Sequence, residues 1–195
     1  MIRAYFNQKA GTWDETTAEK DTAKLDRMAK RLKIKPGSIV LDVGTGTGVF
    51  IPSLLREIGE GGRIIALDIA ERMLGRARAK GFNGNIDYLC ADVTNIPLRN
   101  EIFDIVLCSS SFPHFQDKSR ALFEMNRVIK KGGRLLICHT SSRDKINETH
   151  HQIHAVRNDT LPDEGKMQSL LSSTGFVNIK IDDSESYLAS TRKPE

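Results

Sequence analysis

Four residues at alternating positions, Asp42, Gly44, Gly46 and Gly48, close the stretch SIVLDVGTGTG and carry the first chemical signal in this sequence of 195 residues. Alternating glycines let a backbone take positive φ and lie close to a ligand, and the amides of a following helix then point at that ligand. Val40, Leu41 and Val43 have the apolar density of a strand covered on both faces, whereas Val49, Phe50, Ile51, Leu54 and Leu55 switch to helical spacing. The loop therefore joins a buried strand to a helix, and a nucleotide-like ligand is its natural occupant. A dinucleotide fingerprint needs G-x-G-x-x-G, and counting from Gly44 and Gly46 places Val49 where the third glycine belongs. Nor does a Gly-Lys-Ser/Thr follow to supply the lysine of a P-loop.

The second chemical signal is the placement of histidine. His114, His139, His150, His151 and His154 all lie beyond the strand predicted over 103–108, and His114 and His139 follow neighbouring strands, which brings them to one sheet edge. If the segment around residue 150 is helical, His150 and His154 at i and i+4 share a face, a spacing that lets two imidazoles reach one metal. The candidate chemistry is proton transfer by His139 and His114, or a transition-metal site built from His139, His150 and His154. The alternatives are solvent exposure for His150 and His151 and a satisfied polar contact for His139.

Asp42 two residues before a G-x-G-x-G loop resembles the first motif of the class I S-adenosylmethionine (SAM) dependent methyltransferases. In RIIALDIAERML a strand over 64–67 ends in Asp68, about twenty residues beyond the loop, where a βαβ unit would set a carboxylate across the crevice from the ribose hydroxyls. Otherwise Asp68 caps the helix beginning at Ala70. Asp92 resembles the adenine-side acid of the family, with an Asx-type turn before Val93 as its alternative. FDIVLCSSSFPHF resembles the family's fourth strand and the active-site loop after it, and RVIKKGGRLLI resembles its best-marked motif away from the ligand. Methyltransferases of nucleobase or glutamine amides carry Asn/Asp-Pro-Pro-Tyr/Phe in that loop. Ser109, Ser110, Ser111 and Phe112 stand here instead, which argues against those acceptors.

The resemblance is to the small-molecule, UbiE/type 11-like branch. It implies transfer of a methyl group from SAM to a small-molecule acceptor, with S-adenosylhomocysteine as product. It further implies a cofactor site of Asp42, Gly44, Thr45, Gly46 and Gly48, with Asp68 on the ribose and the backbone of Gly44 and Ser109 on the amino-acid portion. Ile69, Met73 and Val93 would enclose the adenine beside Asp92. Because the methyl carbon is already activated, such an enzyme mainly aligns the acceptor, excludes water and manages a proton. Other functions stay open: a SAM-binding regulatory or scaffold domain without turnover, or methylation of a metal- or metalloid-bound species or of RNA.

The implied fold is α/β, a doubly wound, seven-stranded, mostly parallel sheet of order 3-2-1-4-5-7-6 in a single domain. Its last strands, 177–181 and 187–191, are joined by a short turn and must pair as an antiparallel hairpin. Residues 1–35 form an N-terminal helical segment covering the cofactor site, with Tyr5, Phe6 and Trp13 available to it. Its amphipathic helix over 17–32 has Leu25, Met28, Ala29 and Leu32 on one side. Residues 36–195 form the methyltransferase domain, with an acceptor cap at about 141–164. A helix over 119–129 should end at Lys130 and Lys131, and Gly132 and Gly133 should turn the chain into a strand over 134–138.

Composition narrows the partners. A 39% hydrophobic chain of this length supports one domain with a full core. No apolar run approaches the roughly twenty residues of a membrane span, and MIRAYFNQKAG lacks a signal-peptide core, so a cytoplasmic protein is expected. Cys90, Cys108 and Cys138 have no C-x-x-C spacing and read as buried free thiols. The net charge of +4 is carried by residues 1–37, with nine Lys or Arg against five Asp or Glu, on what reads as a solvated helix face rather than a nucleic-acid stripe. Nothing in the sequence specifies an oligomeric state.

Overall fold

A computed structural model describes residues 2–16 and 21–195, with the side chain of Thr16 outside that description. Helices α1 (Ile2–Lys9) and α2 (Trp13–Thr16) come first. The next helix, expected from residue 17, begins as α3 (Thr22–Leu32), and residues 17–20 lie outside the described residues. Asp21 sets its start by accepting a hydrogen bond from the Lys24 amide at 3.1 Å. Lys33 ends it in the left-handed region at φ 49°. Leu25, Met28, Ala29 and Leu32 are buried, as the pattern anticipates.

Strand and helix then alternate as far as β3, after which the order is less regular: β1 (Ile39–Val43), α4 (Ile51–Ile58), β2 (Arg63–Asp68), α5 (Glu71–Ala79), β3 (Ile86–Cys90), β4 (Phe103–Ser109), α6 (Lys118–Val128), β5 (Ile129–Cys138), α7 (Arg143–His151), α8 (Glu164–Ser173), β6 (Val177–Asp183) and β7 (Tyr187–Arg192). The strands form one seven-stranded sheet in the order β3-β2-β1-β4-β5-β7-β6. Strands β1 to β5 pair in parallel, while β7 pairs antiparallel with both β5 and β6. The expected order and terminal hairpin are both present.

Two cores flank the sheet because its strands are apolar on both parities. Leu41 and Val43 of β1 and Val106 and Cys108 of β4 join α6 and α8 on one face. Val40, Ile105 and Leu107 join α3 and α4 on the other, where Leu54 and Ile58 are fully buried. The register pairs Val43 with Leu67 and Asp42 with both Ala66 and Leu107, so β1, β2 and β4 end together. Their carboxyl ends form the edge at which open α/β sheets bind ligands.

Three expectations are corrected. Gly132 and Gly133 do not turn the chain before β5. The strand starts directly at Ile129, its pairing with β4 shifts register between Phe103 and Ile105, and Gly132 takes φ 70° inside the irregularity, as a bulge residue does. Cys90 is exposed, because β3 is an edge strand, while Cys108 and Cys138 are buried. Helix α7 stops at His151, so His150 and His154 do not share a helical face. Among the described residues no helix is long and apolar enough to cross a membrane.

Leu54, fully buried between α4 and the sheet, should respond as a core residue. Leu54→Ala is expected to cost about 2–5 kcal/mol in urea unfolding. A loss below about 1 kcal/mol would contradict the packing of α4 described above.

Candidate active site

The glycine loop is shaped by what lies against it. Gly44 has φ 73°, and a Cβ there would stand 2.4 Å from Cβ of Ser111, so the loop can approach the residues after β4 only without a side chain. Ser111 holds that approach by donating its hydroxyl to the Val43 carbonyl at 2.7 Å. The amides of Gly44 and Thr45 both donate to the Leu67 carbonyl, at 2.7 and 3.0 Å, which fastens the loop to the end of β2. Gly48 does different work. A Cβ on it would lie 2.9 Å from the Phe82 ring and 3.2 Å from Cβ of Ala77, and the residue does not line the cavity. Close packing against Phe82, Ile51 and Ala77 is thus enough to require a glycine there.

Two carboxylates converge on this loop. Asp42 accepts from the Thr45 hydroxyl at 2.7 Å. Asp68 accepts from the amide of Gly46 through one oxygen and from that of Ala70 through the other, both at 2.8 Å. Asp68, the last residue of β2, therefore makes an Asx-type turn leading toward α5, whose cap position is Ala70, and holds the loop at once. Both acids are buried, and among the described residues neither is ion-paired with Lys or Arg. Burial raises the Asp42 pKa to about 6 against the opposing Thr45 bond, and the negative charge of Asp68 raises it further. Burial likewise raises Asp68, opposed by the amides of Ala70, Gly46 and Ile69. A buried anionic pair with amide donors but no cation suits a positively charged ligand.

These residues open onto a cavity of about 360 Å³. Asp42, Gly44, Thr45, Gly46, Asp68 and Ser109 line it, and so do Ile69, Met73, Asp92 and Val93. Asp92 also forms the Asx-type turn, accepting from the amide and hydroxyl of Thr94 at 2.8 Å through one oxygen, which leaves the second oxygen for a ligand. From the N-terminal segment come Ile2, Phe6 and Trp13, the last two in edge contact at 5.5 Å. Polar contacts hold this segment down. Glu71 takes Arg3 and Asn7, the Gly11 carbonyl takes Arg76, and Asp14 meets both Lys80 and Thr47.

The histidines separate. His114 ends a 3₁₀ turn, Phe112–His114, and lines the cavity. Its Nδ1 is 2.8 Å from Oδ2 of Asp159, and its ring meets Phe6 edge-on at 5.1 Å and His150 at 4.9 Å. His139 is 3% exposed and does not line the cavity. Burial, then the nearby His114 and His150, lower its pKa to about 3, so it is neutral where a base would need to titrate. His154 is exposed, and among the described residues no group of three or more His, Cys, Asp or Glu could hold a metal ion. The proposed donors His139, His150 and His154 thus make no metal site.

No residue of 141–164 lines the cavity. The segment buries Ile146, Val156 and Leu161 and reaches the site through the contacts of Asp159 and His150 with His114. Residues that sequence reasoning missed are Ser111, Thr47 and Gln116. The three consecutive serines were the available signal for Ser111, whose neighbour Ser110 takes φ 54° to make the turn.

Residues 41–137 match a family model described as a methyltransferase domain. The chain is 35% identical over 188 aligned residues to the ubiquinone/menaquinone biosynthesis C-methyltransferase UbiE of Vibrio parahaemolyticus, covering 80% of this chain and 73% of that protein. The chain belongs to the class I SAM-dependent methyltransferases. Within them it falls in the UbiE/type 11 branch. The UbiE of Teredinibacter turnerae is 34% identical over 139 residues, which span 69% of this chain but only 55% of that relative. A SAM-dependent methyltransferase from Aquifex aeolicus shares the fold with a TM-score of 0.75 at 22% identity, over 95% of this chain and 97% of that one.

The site fits the family's cofactor. SAM carries an ammonium and a sulfonium, and the uncompensated charge of Asp42 and Asp68 is of the sign to receive them. The methyltransferase should therefore bind SAM more tightly as pH rises through about 6, where Asp42 ionises. Without ligand the sign reverses. The raised folded value means that Asp42 contributes most to stability below its ordinary value of 3.8, and the contribution is lost as pH passes about 6. Calorimetry at two pH values on either side of 6 tests the binding arm, with Asp42→Asn expected to flatten the dependence. Equal affinities in the unsubstituted protein would refute it. Gly44→Ala, which collides with Ser111, should abolish SAM binding in a chain that still folds by circular dichroism.

Proposed function

We propose that this chain transfers a methyl group from SAM to a small-molecule acceptor bearing an acidic hydroxyl. The observation that carries the reading is His114, an imidazole on the wall of the same cavity that Asp42 and Asp68 line. The UbiE relatives add direction: their printed activity is C-methylation in ubiquinone/menaquinone biosynthesis, which makes a quinol-like phenol the first acceptor to try.

When bound, SAM supplies an electrophilic methyl carbon on sulfur, and its transfer leaves a neutral thioether. The chain's own residues do the rest. The glycine loop and the two acids fix the cofactor, Met73 and Val93 take its adenine, and Phe6 and Trp13 exclude water from above. His114 accepts the hydroxyl proton and later passes it to solvent. The resulting phenolate attacks the methyl carbon in line as the bond to sulfur breaks, and where a ring carbon is the attacking atom its C–H proton is lost afterwards and the oxygen is reprotonated, so that one proton is released overall.

The test is S-adenosylhomocysteine release across a panel of phenols, thiols, amines and metalloid species. His114→Ala is expected to lower kcat on the best acceptor by about 10²–10⁴-fold, with SAM affinity unchanged. Tight SAM binding without turnover on any acceptor would instead favour a regulatory or scaffold role. Salt-dependent retention of RNA would favour RNA as acceptor.

A further inference from the structure

We propose that Asp159 is a positioning residue for His114: it fixes the imidazole in the tautomer that keeps Nε2 free of its proton, so that the base is assembled from two separate segments of the chain. The inference rests on the proposed methyl transfer for its consequence in rate, but the dyad itself is a matter of geometry.

A carboxylate only accepts hydrogen bonds, so the 2.8 Å contact between Nδ1 of His114 and Oδ2 of Asp159 requires the proton on Nδ1. Neutral His114 is then unprotonated at Nε2. No contact to Nε2 competes for it among the described residues, and the ring belongs to the cavity wall. Both side chains are largely withdrawn from water, at 13% and 12% exposure, where a carboxylate–imidazole bond is screened far less than at the surface.

The backbone that carries the carboxylate is itself held, and Gln116 Nε2 lies 3.5 Å from the other carboxylate oxygen. The amide of Asp159 donates to the Val156 carbonyl at 2.8 Å, and Nδ1 of His150 donates to the Asp159 carbonyl at 2.5 Å. On the other side, Lys118 clamps the turn that carries His114 by donating to the carbonyls of Pro113 and Phe115, at 2.9 and 3.0 Å. The His114 amide donates to the carbonyl of Ser111, the residue latched to β1. Neither backbone segment can shift without breaking several bonds, which keeps the two side chains within reach of each other as a preorganised proton acceptor requires. A mere tether between the α7–α8 connection and the site would not need an imidazole.

The charged and titratable groups facing the pair are few. His150 flanks the ring and is held toward its neutral form, chiefly by burial. His139 stays neutral. Asp68 faces it from the end of β2 and Lys118 from α6, the latter with its charge partly disfavoured by burial. Asp159 is thus the carboxylate in direct contact with His114, and Asp68 acts on it only at longer range.

Nitrogen-15 NMR of the histidine side chains in the SAM-bound, unsubstituted protein reads the tautomer directly and does not depend on turnover. His114 is expected as the Nδ1–H form, and an Nε2–H form overturns the proposal. With the best acceptor, Asp159→Asn should lower kcat at least about tenfold, move the acid limb of the rate profile to lower pH, and leave SAM affinity unchanged. Asp159→Glu should recover part of the rate. A loss of rate with an unmoved profile makes Asp159 a structural tether and overturns the proposal, as does full activity in Asp159→Asn. Absence of turnover in the unsubstituted protein would refute methyl transfer while leaving the tautomer measurement to decide the dyad.

Discussion

Burying two carboxylates within reach of one loop is the constraint around which the other parts of this structure are arranged. Asp42 and Asp68 sit at the ends of adjacent parallel strands because the β1–β2 register brings Val43 beside Leu67. An isolated buried carboxylate costs several kcal/mol, and here amides and a hydroxyl offset part of that cost. The rest is left for a ligand. The loop must therefore run close enough to offer the Gly46 amide to Asp68, and that path forbids a side chain at Gly44. The residues after β4 then close over it through Ser111.

Much of the fold was legible because parallel strands covered on both faces leave an unambiguous mark. Val40, Leu41 and Val43 are apolar on both parities, and so are the residues of β4 and β5. Lys130 to Gly133 misled for a physical reason. Two lysines and two glycines after an amphipathic helix look like a C-cap, yet the chain passes from α6 to β5 without a connecting loop and the glycine serves as a bulge. Composition describes what a backbone can do; pairing with β4 decided which of these it did.

The cofactor side of the site was likewise readable, since Asp42, Asp68 and the glycines lie in short segments with fixed spacing. The acceptor side was not. Ser111 reaches Val43 across 68 positions and Asp159 reaches His114 across 45, and such contacts leave no local pattern. His139 shows the complementary limit. Position at a strand end places a residue at the right edge of the sheet, but whether its ring meets the cavity or the interior depends on what packs around it. Here the ring packs edge-on near Tyr187, away from the cavity.

The N-terminal segment over the cavity is attached differently from everything beneath it. Helix α1 buries none of its residues, and its ion pair with α5, Arg3 to Glu71, has both side chains more than half exposed. Such exposed bonds contribute little and weaken with salt, whereas the strands below are secured by fully buried apolar residues. Lifting the segment thus requires less free energy than opening the sheet, although Phe6, Ala10 and Trp13 must also leave their apolar contact with Ala70 and Met73. The roof of the cavity has a polar attachment that answers to the ionic medium and this small apolar one, whereas the floor is held by the hydrophobic effect throughout. A change of salt therefore acts on the polar attachment of the roof and leaves the packing of the floor as it is.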